Sequence, residues 1–116
     1  MKKIYLILLL TLPFVGLGQD MKVKWEDDDG REFSIKVISG EFGFGMIPGD
    51  RISYNYSGNV SRVGRVLISY NYSGKVSRVG NVRISYNYSG KISRVGGMTI
   101  SYNYSGKVSG TRGRVR

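Results

Sequence analysis

Apolar and polar side chains alternate in short bursts along this chain, and from residue 52 onward the bursts keep a fixed beat. Ile-Ser-Tyr-Asn-Tyr-Ser-Gly starts at Ile52 and returns at Ile68, Ile84 and Ile100, a period of 16 residues held through four copies. Period-two alternation puts Ile84, Tyr86 and Tyr88 on one side of a strand and Ser85 and Asn87 on the other. Tyr and Ile favour strands, and glycines this frequent would break a helix. Asn87 to Lys91 suits a hairpin with Tyr88 and Ser89 at the centre of a type I turn. The glycine that follows (Gly58, Gly74, Gly90 and Gly106 in the four copies) supplies the positive φ of a bulge, where any Cβ is costly. Gly80-Asn81 suits a two-residue return turn. Each unit is then one hairpin, and the array is an all-β antiparallel meander or spiral of eight short strands. One pair of positions leaves two arrangements open. Val76 and Val79 face opposite ways in a regular strand, so either a bulge corrects the register or both faces carry apolar surface.

The preceding block, 19–50, reads as an irregular β cap on the array at 51–116. Val23-Lys24-Trp25 and Phe33 to Val37 alternate, and the Asp-Gly at 29–30 signals a hairpin between them. Glu41 to Met46 is a further strand candidate, and Pro48-Gly49-Asp50 is a turn before the first repeat. Residues 1–18 have the anatomy of a secretory signal peptide. Lys2 and Lys3 precede an apolar run from Ile4 to Val15, followed by small Gly16 and Gly18. The run is shorter than the roughly 20 residues of a membrane span and is interrupted by Pro13, which disfavours a retained anchor. The expectation is an exported protein of the periplasm, cell surface or medium.

The sequence contains no cysteine and no histidine, which removes disulfide bracing, Cys/His metal sites and His-dependent catalysis. Charge is divided along the chain. All eight acidic residues fall between Asp20 and Asp50, against four basic ones, whereas 51–116 holds twelve Lys/Arg and no Asp or Glu. Such a basic array keeps a protein soluble and protects strand edges. It also attracts polyanions such as acidic glycans, or it engages the acidic block of the same or a neighbouring molecule.

Tyr86-Asn87-Tyr88-Ser89-Gly90-Lys91-Ile92-Ser93-Arg94-Val95 resembles the YD repeat of Rhs-type proteins and teneurins, whose core runs Tyr-Asp-x-x-Gly-Arg-Leu-x-x-Val. Asn87, Lys91 and Ile92 stand where that family has Asp, Arg and Leu. The correspondence extends to Tyr54–Val63 and Tyr70–Val79 and weakens in the last copy at Gly110 and Thr111. The resemblance implies a spiralling sheet of hairpins, an extracytoplasmic setting and a binding or encapsulating role. The period here is shorter than the family's, and four units are too few to enclose a shell.

Candidate chemistry is sparse. Tyrosines come in pairs at 54/56, 70/72, 86/88 and 102/104. The first of each pair (Tyr54, Tyr70, Tyr86, Tyr102) is expected on the core face and the second in the exposed turn. Tyr56, Tyr72, Tyr88 and Tyr104, with Arg62, Lys75, Arg78, Lys91, Arg94 and Lys107, form the candidate polyanion-binding set, aromatic faces beside positive charge. The export signal and the lack of a nucleic-acid motif disfavour nucleic acid as a partner. Asp27, Asp28, Asp29 and Glu32 lack the spacing of a calcium loop and read as a solvated acidic turn. No serine has a base at a motif spacing, so no enzyme, metal or cofactor is expected.

Two functions fit. One is a non-enzymatic exported protein that binds an acidic cell-surface glycan or another polyanion. The other is self-assembly through open strand edges, because Ile-Ser-Tyr-Asn-Tyr-Ser is uncharged, rich in strand formers and free of Pro. Recent duplication would also yield near-identical copies, so repetition by itself assigns no residue a role.

Overall fold

The computed structural model describes residues 20–116, and the expected signal peptide at 1–18 lies outside the described residues. The described part is all-β. The N-terminal block forms β1 (Lys22–Glu26), β2 (Glu32–Lys36) and β3 (Phe42–Phe44), and the array forms β4 (Ile52–Tyr54), β5 (Val60–Val63), β6 (Val66–Tyr70), β7 (Val76–Val79), β8 (Val82–Tyr86), β9 (Ile92–Val95), β10 (Met98–Tyr102) and β11 (Val108–Arg112). Strands β1–β3 make one antiparallel sheet, and β4–β11 make an eight-stranded antiparallel sheet in which every strand pairs with its chain neighbour. The expected meander of hairpins is present.

Each hairpin tip is built the same way. The Asn55 side-chain oxygen accepts from the backbone N–H of Ser57 and Asn59, at 2.9 and 3.0 Å. Gly58 N–H donates to the Asn55 carbonyl at 2.9 Å, which closes a type I turn over Tyr56 and Ser57, and Gly58 then takes φ +88°. The return turns 64–65, 80–81 and 96–97 open on a glycine with φ near +60°, and in the first two the second residue, Arg65 or Asn81, keeps a negative φ. A glycine first is the mark of the type II′ turn, one of the two-residue turns whose backbone matches the strand twist.

A bulge settles how Val76 and Val79 face. Tyr70 pairs with Val76 and Ser69 with Arg78, so Ser77 is an extra residue and the register shifts by one. Both valines therefore point inward, 4% and 2% exposed, and Arg78 points out. Ser61, Ser93 and Ser109 are bulged in the same way in the other hairpins. One face of the large sheet is thus apolar throughout, carrying Val63, Ile68, Val76, Val79, Val82, Ile84, Ile92, Val95 and Ile100.

The N-terminal sheet covers that face. Val23, Trp25, Phe33, Ile35 and Val37 join the array residues in one buried cluster, with Trp25 and Phe33 ring centroids 5.8 Å apart and Phe33 stacked on Phe42 at 6.1 Å. The cap therefore shields a sheet face as well as preceding the first repeat. The physical reason is that an eight-stranded sheet with one apolar side needs a second layer to exclude water. The Ile92 N–H donates to the Val37 carbonyl at 2.8 Å, fastening the cap to the third hairpin.

Arg31 joins the cap to the start of the array. Its guanidinium is 4% exposed. Nε and one terminal nitrogen donate to the two Asp50 oxygens at 2.7 and 2.8 Å, and the other terminal nitrogen reaches Asp27 at 2.8 Å and Asp29 at 2.9 Å. The acidic turn is therefore a clamp on Arg31, which corrects the expectation of a solvated side chain for Asp27, while Asp28 and Asp29 remain exposed. Gly64 lies against this clamp, where a Cβ would run into the Asp50 carboxylate and the Arg31 guanidinium. Asp50 is held below the usual carboxylate range chiefly by its hydrogen bonds from Arg31. At Asp27 burial pulls the value upward, but hydrogen bonds from Arg31 outweigh it and leave the group lowered.

Candidate binding surface

The hairpin tips and the outward face of the large sheet present the candidate residues. Because the Asn side chain satisfies the turn amides, Tyr56, Tyr72, Tyr88 and Tyr104 at the turn centres have no structural task and stand fully in solvent, at 109–110% relative exposure. They form a row along one rim. Alternate strands lie about 9–10 Å apart, twice the spacing of neighbours, which sets the step of the row.

Arg62, Arg78 and Arg94 occupy the outward position after each bulge and are exposed. Arg78 pairs across the sheet with Arg83, which is also exposed and lies outside the candidate set expected from the sequence. Alternation from Ser85 back along β8 places Arg83 on the outer side, so that signal was in the sequence. Every acidic residue belongs to the cap segment, on the opposite side of the large sheet, and five of them already make ion pairs. Asp27, Asp29 and Asp50 hold Arg31, Glu41 contacts Lys36 at 3.2 Å and Asp28 contacts Arg116 at 2.8 Å. Among the described residues, no ion pair is made by Arg62, Arg78, Arg83 or Arg94.

The lysines divide. Lys75 and Lys91 are half-buried, and each Nζ bridges to the next repeat, donating to the Gly90 carbonyl at 3.0 Å and the Gly106 carbonyl at 2.9 Å. Each also lies over the next repeat's tyrosine ring, 5.3 Å from Tyr86 and 5.6 Å from Tyr102. Their charge holds the array together more than it faces a partner. Lys107, in the last repeat, is exposed. Gly58, Gly74, Gly90 and Gly106 all take positive φ.

The first tyrosines divide as well. Tyr70, Tyr86 and Tyr102 are half-buried, and their hydroxyls donate to the carbonyls of Val60, Val76 and Ile92 at 2.7, 2.7 and 2.5 Å. Tyr54 is 62% exposed, against the expectation of a core position. It has no preceding hairpin to lie on. Burial pushes Tyr86 and Tyr102 up to about 12, with Asp20 adding to the effect at Tyr102, and it raises Tyr70. The neutral phenol is the donating form, so this stabilisation is complete below the unfolded-state value of about 10 and is lost as pH rises towards 12. The denaturant midpoint should therefore fall between about pH 10 and 12. A Tyr86→Phe, Tyr102→Phe variant should lose about 1 kcal/mol per hydrogen bond at neutral pH and show a flatter alkaline decline. An unchanged decline would discount the phenols as its source.

A groove of about 230 Å³ lies at the return-turn rim between Trp25, Asp28, Val82 and Arg116, and its Asp28 and Arg116 already pair with each other. Among the described residues no group of three or more acidic side chains is arranged to hold a metal ion, and no helix is long and apolar enough to cross a membrane. Comparison with protein-family models, curated proteins and solved structures gave no match for this chain.

Proposed function

We propose that this is an exported, non-enzymatic β-repeat protein that binds an acidic polymer, such as a cell-surface glycan, on the outer face and tip rim of its large sheet. The observation that carries this reading is the unneutralised arginine set, Arg62, Arg78, Arg83 and Arg94, on a face free of carboxylates and flanked by a row of solvent-facing tyrosines. Guanidinium groups grip carboxylate and sulfate with paired hydrogen bonds, and phenol rings stack on sugar faces. A regular step between equivalent side chains suits a ligand that is itself a repeating chain, because each added repeat adds one more contact. The resemblance to YD repeats points the same way, towards an extracytoplasmic binding role.

Retention on heparin against a neutral resin tests the proposal. The protein should bind heparin at low salt and elute as salt rises. An Arg62→Gln, Arg78→Gln, Arg94→Gln variant should lower the slope of log affinity against log salt by roughly two to three, near one per ion contact removed. Equal retention on both resins at low salt rules the reading out.

A further inference from the structure

We propose that the two open edges of the large sheet are the complementary halves of one joint, through which a second copy of this chain adds head to tail. The argument starts from how successive repeats hold each other. At the second and third junctions between repeats, a lysine donates to the following glycine carbonyl and covers the following tyrosine ring, and that tyrosine donates its hydroxyl back; at the first junction Asn59 stands in the lysine's place and the Tyr70 hydroxyl bond to Val60 is made alone. Lys75, Gly90 and Tyr86 make one such set with the Val76 carbonyl. Lys91, Gly106 and Tyr102 make the next with the Ile92 carbonyl.

At the ends of the array each half of this set stands alone. Lys107 and the Val108 carbonyl occupy the positions of Lys91 and Ile92 in the last repeat, and Lys107 is exposed, with no side-chain acceptor among the described residues. Tyr54 and the Gly58 carbonyl occupy the positions of Tyr86 and Gly90 in the first repeat. Tyr54 is 62% exposed, and its hydroxyl has no hydrogen-bond partner among the described residues. The last repeat thus keeps the donor lysine and acceptor carbonyl, and the first keeps the ring, hydroxyl and glycine carbonyl that would receive them. A second copy one repeat beyond would put Lys107 over its Tyr54 ring and onto its Gly58 carbonyl, while its Tyr54 hydroxyl meets the Val108 carbonyl.

Apolar exposure agrees. Ile52 at the first edge is partly exposed, whereas its equivalents Ile68, Ile84 and Ile100 are buried; Val108 at the last edge is partly exposed, as is Val60 in the first repeat, whereas Val76 and Ile92 are buried. Edges meant to stay single are blunted by inward charges, proline or covering loops. β4 contains no proline and no charge, and β11 contains no proline, its one charge being the terminal Arg112 beyond the Ser109 bulge. The interface is heterologous, so repeated addition gives a filament, or a ring where the rotation closes, and no two-fold dimer.

The strand register makes the test specific. Within the array Arg62 pairs with Leu67 and Arg78 with Arg83, and the equivalent pair across the joint is Gly110 with Arg51 of the second copy. A Cβ on Gly110 meets no atom within 4 Å and Arg51 is exposed, so Gly110→Cys and Arg51→Cys are compatible with the fold. In this cysteine-free chain each variant introduces one thiol. Mixing the two under mild oxidation at high concentration should give a disulfide-linked dimer containing one of each, and each variant alone should stay mainly monomeric. Linked dimers of Gly110→Cys alone would mean two-fold edge pairing and would overturn the joint, as would no linkage in the mixture. Sedimentation velocity of the unaltered chain gives a second readout. Association should rise with concentration and weaken about fivefold in each of Lys107→Gln and Tyr54→Phe. A monomer at every concentration also overturns the proposal.

Discussion

Truncating Phe33 to alanine is expected to remove about 3–5 kcal/mol of stability, enough to bring the chain close to unfolding, since small domains hold about 5–15 kcal/mol in total. Phe33 is 1% exposed and lies between Trp25 and Phe42 at the centre of the cap. It belongs to the same buried cluster as the array valines and isoleucines. The hole left by its ring is walled by two sheets that are each braced by backbone ladders and collapse poorly. Trp25, the chain's single tryptophan, is 8% exposed and reports on the cap, and far-ultraviolet circular dichroism reports on the array. In the native chain the two signals should change together in denaturant, because the sheets share one core. A Phe33→Ala protein with an unchanged midpoint would mean that the cap adds little to the stability of the array.

The second large effect is expected at Arg31. Replacing it with methionine keeps much of the side-chain volume but leaves Asp27, Asp29 and Asp50 facing one another without a counter-charge. Removing one partner from a buried ionic cluster is far more harmful than never having built it. The thermal midpoint at pH 7 should fall by on the order of 10 °C. The pH dependence identifies the cause. In the native chain Asp27 and Asp50 are lowered from 3.8, so their contribution is present above about pH 4 and is lost as pH falls through the lower folded-state values. In Arg31→Met the carboxylates take up protons more readily, and the gap to the native protein should narrow as pH drops towards 3. A gap that stays constant from pH 7 to pH 3 would assign the loss to packing instead of charge.

These two sites mark where the sequence was readable and where it was not. The hairpin tips were legible because every device in them is local. Asn87, Tyr88, Ser89 and Gly90 close their turn with hydrogen bonds spanning four residues or fewer. The Asp27–Gly30 loop follows the same scheme, with Asp27 accepting from Asp29 and Arg31 and Gly30 at positive φ. An amide or carboxylate oxygen serves equally there, so the hairpin that Asp-Gly signals at 29–30 is built in the same way as the repeat tips. Legibility failed for groups whose partners are far along the chain. Arg31 reaches Asp50 across 19 residues, and its appearance among surface charges gave no sign that it is buried. Lys75 and Lys91 look like any other basic residue of the repeat until their bonds to Gly90 and Gly106, 15 positions on, are seen.

Periodicity, turn chemistry and the segregation of charge were enough to determine the all-β class, the hairpin unit and a basic array behind an acidic opening, because each depends on neighbours a few residues away. Tertiary structure alone decided that the bulges at Ser61, Ser77, Ser93 and Ser109 turn the strand valines and isoleucines of the array to one face, that the cap lies over that face, and which charges stay in solvent. A strand's alternation shows that it has two sides. Which side is covered depends on where the rest of the chain comes to lie, and that is a free energy of packing between layers distant in sequence.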